Sequence, residues 1–176
     1  MIKFKTIQTK IKLLYLKFTG KIKKSNSTIE IHQSNNKSID NILIFFPIKE
    51  ESFRVALYTF RKLKKKKNIN YYYVINNIYK HHFNLTGHVF NFYKTNKKIK
   101  IDETFYEDRI INKSFDMVID LNNEFNFDLC LLINNIKSYY KVGFKGNYSD
   151  YFYNIQLETD VLEDSYNKIY SMLTWN

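Results

Sequence analysis

The sequence predicts an α/β fold with a mostly parallel, doubly wound sheet, preceded by a basic amphipathic helix. Two continuous apolar runs, at residues 42–46 and 117–121, are typical of strands buried on both faces. Segments with helical periodicity follow both runs, and alternating strands and helices indicate parallel pairing. With 176 residues, of which 44% are apolar, the chain suits one Rossmann-like domain with a substantial core.

Residues 1–24 are predicted to form the basic amphipathic helix. Apolar residues recur every three or four positions along one stripe: Phe4, Ile7, Ile11, Leu14, Phe18 and Ile22. Lysines occupy much of the remainder without an acidic residue, and the candidate membrane or anion contacts are Lys3, Lys5, Lys10, Lys12 and Lys17. Such a helix suits the headgroup layer of an anionic membrane. The alternative is that the stripe packs on the domain or on a partner protein.

Residues 25–40 are rich in Ser and Asn, which predicts a polar linker. The Rossmann-like domain is then expected over residues 41–176. Its first strand ends at Pro47, and its first helix, over 50–66, begins with acids and ends in lysines, which complements the helix dipole. The other expected strands are at 71–75, 88–93, 117–121, 139–144 and 151–157; the other expected helices are at 76–85, 103–111, 124–136 and 160–173, and 95–101 is expected to be a basic loop.

The charge is divided unevenly along the chain. Residues 1–101 contain 22 Lys and Arg against four acids, whereas residues 102–176 contain six against 13. The first part is therefore expected to face an anion, which could be membrane lipid, nucleic acid or a phosphorylated substrate. The Lys-rich edges at 62–67 and 97–100, beside Tyr71, Tyr72 and Tyr73, support an alternative function as a basic binding or structural protein on nucleic acid or a ribonucleoprotein.

Several kinds of chemistry are excluded by residue counts and spacing. A single cysteine, Cys130, rules out an intrachain disulfide and a thiolate cluster, and it fits a reducing, cytoplasmic compartment. The four glycines form neither a P-loop nor a dinucleotide-binding pattern, so no cofactor is expected. The adjacent His81 and His82 lack metal-ligand spacing, and no metal site is expected. No apolar run reaches the roughly 20 residues of a membrane span.

Ligands of doubly wound sheets bind beyond the carboxyl ends of the strands, near the point where the strand order reverses. Here those ends are residues 47–52 and 122–124. Glu50 and Glu51 are the candidate general bases, although acids are also common at the start of a helix. The candidate substrate-binding residues are Lys49, Ser52, Arg54, Asn122 and Asn123. Asp116 and Asp120 are expected to cap backbone amides rather than to act in catalysis.

Four segments, at 41–46, 57–64, 115–121 and 141–144, occur in the order and with the spacing found in heptosyltransferases. From about residue 41 to 158 the chain resembles the N-terminal, acceptor-side domain of that glycosyltransferase family (family 9, GT-B fold). The resemblance implies a stand-alone glycosyltransferase-like domain that is associated with lipopolysaccharide or other envelope-glycolipid synthesis. It also implies a place at the cytosolic face of the membrane, with a glycolipid acceptor as a possible ligand.

The chain departs from the family pattern in two places. The family's first loop carries a Gly-Asp pair whose Asp is the presumed base, and Glu51 and Ser52 stand at those positions. The base is therefore expected to be missing, unless Glu50 or Glu51 substitutes for it. The nucleotide-sugar domain of the family would begin where this sequence ends. We therefore expect a domain that is not catalytic alone, with a partner protein supplying the other half; an active form would transfer sugar from a nucleotide-sugar donor.

Overall fold

The computed structural model describes residues 2–22, 39–63, 68–95, 98–158 and 160–174, without the side chains of residues 2–6 and 8. The strands are β1 (Asn41–Phe45), β2 (Asn70–Asn76), β3 (His88–Lys94), β4 (Ile99–Ile101), β5 (Ser114–Asp120), β6 (Lys137–Phe144) and β7 (Ile155–Leu157). The α-helices are α1 (Ile2–Phe18), α2 (Glu50–Phe60), α3 (Glu103–Glu107), α4 (Phe127–Asn135) and α5 (Leu162–Thr174), and 3-10 turns cover Asn77–His82, Ile110–Asn112 and Ser149–Tyr151.

The seven strands form one sheet in the order β4-β3-β2-β1-β5-β6-β7. All neighbouring pairs are parallel except β3 and β4, which form an antiparallel hairpin. Strands β2, β3 and β4 follow in order on one side of β1. Strand β5 then pairs with the other side of β1, with Ile44 opposite Ile119. The predicted single α/β domain is therefore confirmed, and the strand order reverses between β1 and β5.

The helices form a layer on each face of the sheet. Because side chains alternate along a strand, β1 sends Leu43 and Phe45 into one core cluster and Ile42 and Ile44 into the other. The first cluster also contains the buried residues of α3 and α4, and the second contains those of α2 and α5. The layers explain why the β1 and β5 runs are apolar at almost every position.

The α1 helix is packed on the α4 side of the domain. Leu13 and Ile22 are buried in the first core cluster, with exposed fractions of only 6% and 2%. The ammonium of Lys12 lies 5.5 Å from the ring centre of Phe127, and Asn134 Nδ2 donates to the Lys21 carbonyl at 3.2 Å. These two contacts, at the start and near the end of α4, give α1 and α4 the same direction.

Several element boundaries differ from the predictions. The first helix ends at Phe18 rather than at residue 24, because Gly20 adopts a left-handed conformation with φ of 68°. The predicted basic loop at 95–101 contains β4. α2 ends at Phe60 rather than at residue 66, α4 begins three residues later than expected, and the last strand is limited to β7. Residues 23–38, which include most of the predicted linker at 25–40, lie outside the described residues.

Candidate functional site

The loops that leave β1 and β5 meet at the carboxyl edge of the sheet, and Asn122 joins them. The backbone amide of Ile48 donates to Asn122 Oδ1 at 2.8 Å. The Asn122 side-chain amide donates in turn to Asp120 Oδ1 at 2.7 Å and to the Phe46 carbonyl at 3.5 Å. Asn122, predicted as a substrate-binding residue, therefore uses its amide group to hold the crevice closed.

The other predicted substrate-binding residues of these loops also lie together. Lys49 forms an ion pair with Glu124, and Ser52 Oγ donates to Asn123 Oδ1 at 3.4 Å. The cavity between the loops is about 100 Å³, lined in part by Lys49, Asn122 and Asn123. Small-molecule sites usually measure roughly 300–1,000 Å³, so the crevice in this conformation is too small for a sugar-sized ligand.

The two candidate bases lie outside this crevice, at the exposed start of α2. Glu50 pairs with Arg54 one helical turn later, and both side chains are more than half exposed. Glu50, Glu51, Lys49 and Arg54 surround a shallow, open depression of about 540 Å³. Acidic residues in the first turn also complement the helix dipole, which accounts for their position without catalysis.

The carboxyl of Asp120 is buried at this edge, where the residue is only 2% exposed. Its Oδ1 accepts from the Asn122 amide nitrogen at 2.9 Å, as the sequence predicted, and its Oδ2 accepts from the Tyr153 hydroxyl at 2.5 Å. Burial raises the pKa of the Asp120 carboxyl, and the hydrogen bonds from Tyr153 and Asn122 oppose the rise. Asp120 therefore holds the β5 exit loop from inside the core.

Tyr153 extends this buried group to Cys130. The Cys130 sulfur lies 3.4 Å from the Tyr153 hydroxyl, and burial raises the pKa of the Cys130 thiol to about 12. The Tyr153 ring lies against Gly143, where a Cβ atom would come within 2.7 Å of it. No sequence pattern indicated the Asp120–Tyr153 contact, because the two residues are 33 positions apart.

Asp116, at the opposite edge of the sheet, also has the capping role that the sequence predicted. Its Oδ2 accepts from the backbone amides of Asp40 and Asn41, both at 3.0 Å. These bonds fix the entry into β1 at the edge remote from the two exit loops.

The apolar stripe of α1 faces solvent. The exposed fractions are 52% for Ile7, 60% for Ile11, 65% for Leu14 and 93% for Phe18. Leu13, Leu16 and Ile22 make the contact with the domain instead. The sequence placed Ile22 on the same stripe, but α1 ends at Phe18 and Ile22 is buried in the domain. Lys10, Lys12 and Lys17 are exposed, whereas the predicted contacts Lys3 and Lys5 lie among the side chains that are not described.

The aromatic residues proposed for nucleic-acid stacking are inside the domain. Tyr71, Tyr72 and Tyr73 are buried in β2 and cannot offer a ring face to a base. Arg61 and Lys62 lie over the ring of Tyr58. Residues 64–67 and 97, which supply most of the predicted basic edge, are outside the described residues.

A family model matches residues 10–169 of the chain. The protein belongs to a family of unknown function, DUF6913. No curated protein and no solved structure matches the chain. The matched span contains both exit loops, Asp120, Tyr153 and the docked part of α1, so these features lie within the family's domain.

The described residues contain neither a metal-binding cluster nor a membrane-spanning helix. No group of three or more His, Cys, Asp or Glu residues in the described part of the chain has an arrangement that could hold a metal ion. Within the same ranges, no helix has both the length and the apolar character that crossing a membrane requires.

Proposed function

We propose that this DUF6913 protein is a glycosyltransferase-like domain that binds the cytosolic face of an anionic membrane through α1 and is not catalytic alone. The observation that carries the proposal is the free apolar stripe of α1. At about 100° per residue, Ile11, Leu14 and Phe18 lie on roughly the opposite side of the helix from the docked Leu13 and Leu16. The helix therefore has one apolar side for the domain and another for an external surface.

The size of the stripe is sufficient for reversible binding to a bilayer interface. Full burial of a large apolar side chain contributes about 1.5–3 kcal/mol, so the exposed parts of Ile7, Ile11, Leu14 and Phe18 together offer about 4–8 kcal/mol before the costs of association. The free stripe is a contiguous apolar patch and not a set of isolated exposed residues. Such patches commonly mark interaction sites.

The charge around the stripe favours an anionic membrane as the occupant. Lys10 and Lys17 are exposed beside the stripe and Lys21 directly after α1, whereas Lys12 lies on the α4 side near Phe127. No acidic residue occurs before Glu30 in the sequence. A lysine near an anionic lipid surface contributes about 1 kcal/mol, which adds to the apolar term and makes binding dependent on salt.

The non-catalytic part of the proposal is supported by the two exit loops. Asn122 closes the crevice in which a Rossmann-like domain would bind its ligand, and Glu50 is paired with Arg54. In this proposal the domain binds or presents an envelope glycolipid acceptor, or assists a partner protein that supplies the nucleotide-sugar half.

Flotation with vesicles of phosphatidylglycerol and phosphatidylcholine tests the membrane proposal. Ile11→Asp/Leu14→Asp is expected to reduce the bound fraction at least tenfold, because it places two charges in the free stripe. Val161→Asp is the control, since Val161 is 53% exposed against 65% for Leu14 and lies outside α1. Deletion of residues 1–24 is unsuitable, because it would also remove Leu13 and Ile22 from the core. Equal flotation of the double variant and the control would contradict the proposal.

Sugar transfer tests the catalytic part. Extracts that lack the endogenous protein are supplemented with wild type, Glu50→Gln or Glu51→Gln, and incorporation of labelled sugar into glycolipid is measured. Equal incorporation with all three forms is expected, together with none from the purified chain and donor alone. A loss of about a hundredfold in either variant would instead identify a catalytic carboxylate, because general-base catalysis contributes about 10²–10⁴-fold.

A further inference from the structure

A cleft of about 650 Å³ lies between α2 and the 3-10 segment Asn77–His82. Its volume is within the range of roughly 300–1,000 Å³ that small-molecule sites occupy. Glu50 and Arg54 line this cleft and also the neighbouring depression at the start of α2. The cleft is separate from the closed crevice at Asn122. No feature of the sequence indicates this cleft, because its two walls come together only when the chain folds.

The apolar part of the cleft lining is firmly built. Phe53 and Tyr79 stack with their ring centres 4.3 Å apart, and the Tyr79 hydroxyl donates to the Ile48 carbonyl at 3.2 Å. Tyr58 on α2 and Ile78 on the 3-10 segment also line the cleft, and both are more than half exposed. The stacked pair and the hydrogen bond fix the position of one wall relative to the other, so an apolar ligand would meet a preformed surface.

Two arginines lie among the polar groups of the cleft. Arg54, Arg61 and His82 line it together with one acid, Glu50, which is paired with Arg54. No carboxylate of the described residues forms an ion pair with Arg61, whose guanidinium lies 4.0 Å from the Tyr58 ring centre. A guanidinium held over an aromatic ring keeps N–H donors at its edge for an anion.

We propose that the cleft binds a small organic anion with an apolar body, its phosphate or carboxylate on Arg61 and its body between Tyr58 and Ile78. His82 offers a ring N–H as a further donor to the anion. Charge and apolar area each exclude a class of ligand: a neutral lipid would leave Arg61 unpaired, and inorganic phosphate would leave Tyr58 and Ile78 uncovered. Binding at this cleft does not depend on α1.

Amide chemical shifts of the full chain, followed by NMR during titration, test the proposal. The probes are octyl phosphate, octanoate, octyl glucoside and inorganic phosphate, each below its micelle concentration where it has one. Octyl phosphate, octanoate or both are expected to give saturable shifts confined to α2 and residues 77–82, and the tighter of the two identifies the anion. Octyl glucoside and inorganic phosphate are expected to bind at least tenfold more weakly.

Substitutions on both walls make the test specific. Arg61→Gln and Ile78→Asp are each expected to weaken octyl phosphate binding at least tenfold, because a charge-assisted hydrogen bond or the apolar contact is lost. Ile11→Asp/Leu14→Asp is expected to leave it unchanged. Since Ile78 is exposed, its substitution should preserve the fold, which the NMR spectrum of each variant checks directly. Equal binding of octyl glucoside, shifts centred on α1, or an unchanged affinity in Arg61→Gln would overturn the proposal.

Discussion

Replacement of Tyr153 by Phe removes a single hydroxyl from the buried group that holds the β5 exit loop. The hydroxyl donates to Asp120 Oδ2 at 2.5 Å and contacts the Cys130 sulfur at 3.4 Å. The ring is unchanged, so its packing against Gly143 is retained. The substitution therefore isolates the hydrogen bond from the surrounding apolar contacts.

The expected loss in the free energy of unfolding is about 2 kcal/mol when the Asp120 carboxyl is ionised. Hydrogen bonds to charged groups contribute about 1.5–3 kcal/mol, and Asp120 Oδ2 has no other hydrogen-bond donor within the described part of the protein. Asp120 Oδ1 keeps its bonds from Asn122, so the exit loop should retain its conformation.

The loss is also expected to depend on pH. Burial raises the pKa of Asp120 above that of an unfolded Asp, so the folded state binds more protons and the stability that Asp120 contributes falls as pH rises through its folded pKa. Without the Tyr153 hydroxyl the pKa rises further, because a bond to the charged form is lost. The penalty for Tyr153→Phe should therefore grow as pH rises through the folded pKa of Asp120, and Asp120→Asn should abolish this dependence.

Urea unfolding of wild type and variant across a series of pH values measures these differences, provided that the dependence on urea is unchanged. Tyr71→Phe is a matched control, because the Tyr71 hydroxyl is also buried but has no hydrogen-bond partner in the described structure. We expect this control to be neutral or slightly stabilising. An equal loss in both variants, or no loss in Tyr153→Phe, would refute the role assigned to the Asp120–Tyr153 bond.

Three further predictions follow from the packing. Gly143→Ala should lower the free energy of unfolding by about 1–3 kcal/mol, because its Cβ would displace the Tyr153 ring; an unchanged urea midpoint would contradict this. Leu13→Ala should cost about 2–4 kcal/mol whereas Leu14→Ala should change stability by less than about 0.5 kcal/mol, and equal effects in urea unfolding would show that α1 is docked differently. Cys130 should resist a thiol-specific disulfide reagent in the native protein and react after unfolding, because it is buried and its pKa is raised; rapid native labelling would argue against this environment.

The apolar runs of β1 and β5 were sufficient to predict the centre of the sheet. A strand between two neighbours and two helical layers must be apolar on both sides, and this composition is visible in a single sequence. Short edge elements lack that signal. β4 has only three residues and includes the exposed Lys100, so it was predicted as a loop; its pairing with β3 supplies the structure that its composition does not.

The docking of α1 shows where helical periodicity is insufficient. Leu13, Leu14 and Leu16 are all apolar, and a spacing of three or four residues selects one stripe without saying which side meets the domain. The structure buries Leu13 and leaves Leu14 exposed. Likewise, the exit loops were predicted as a site from strand order alone, but the closure by Asn122 and the cleft beside α2 depend on contacts between residues far apart in sequence.

A spin label on α1 gives the most direct test of the central claim that α1 binds an anionic membrane with its free stripe. Leu14→Cys and, as a control, Val161→Cys place labels at exposed positions, while the buried Cys130 remains unlabelled. The accessibility of each label to oxygen and to a water-soluble nickel complex is measured with and without anionic vesicles. Vesicles are expected to bring only the label at residue 14 into the region about 5–10 Å deep where interfacial helices lie, which raises its oxygen accessibility and lowers its nickel accessibility. No change at residue 14, or an equal change at both positions, would contradict the central claim.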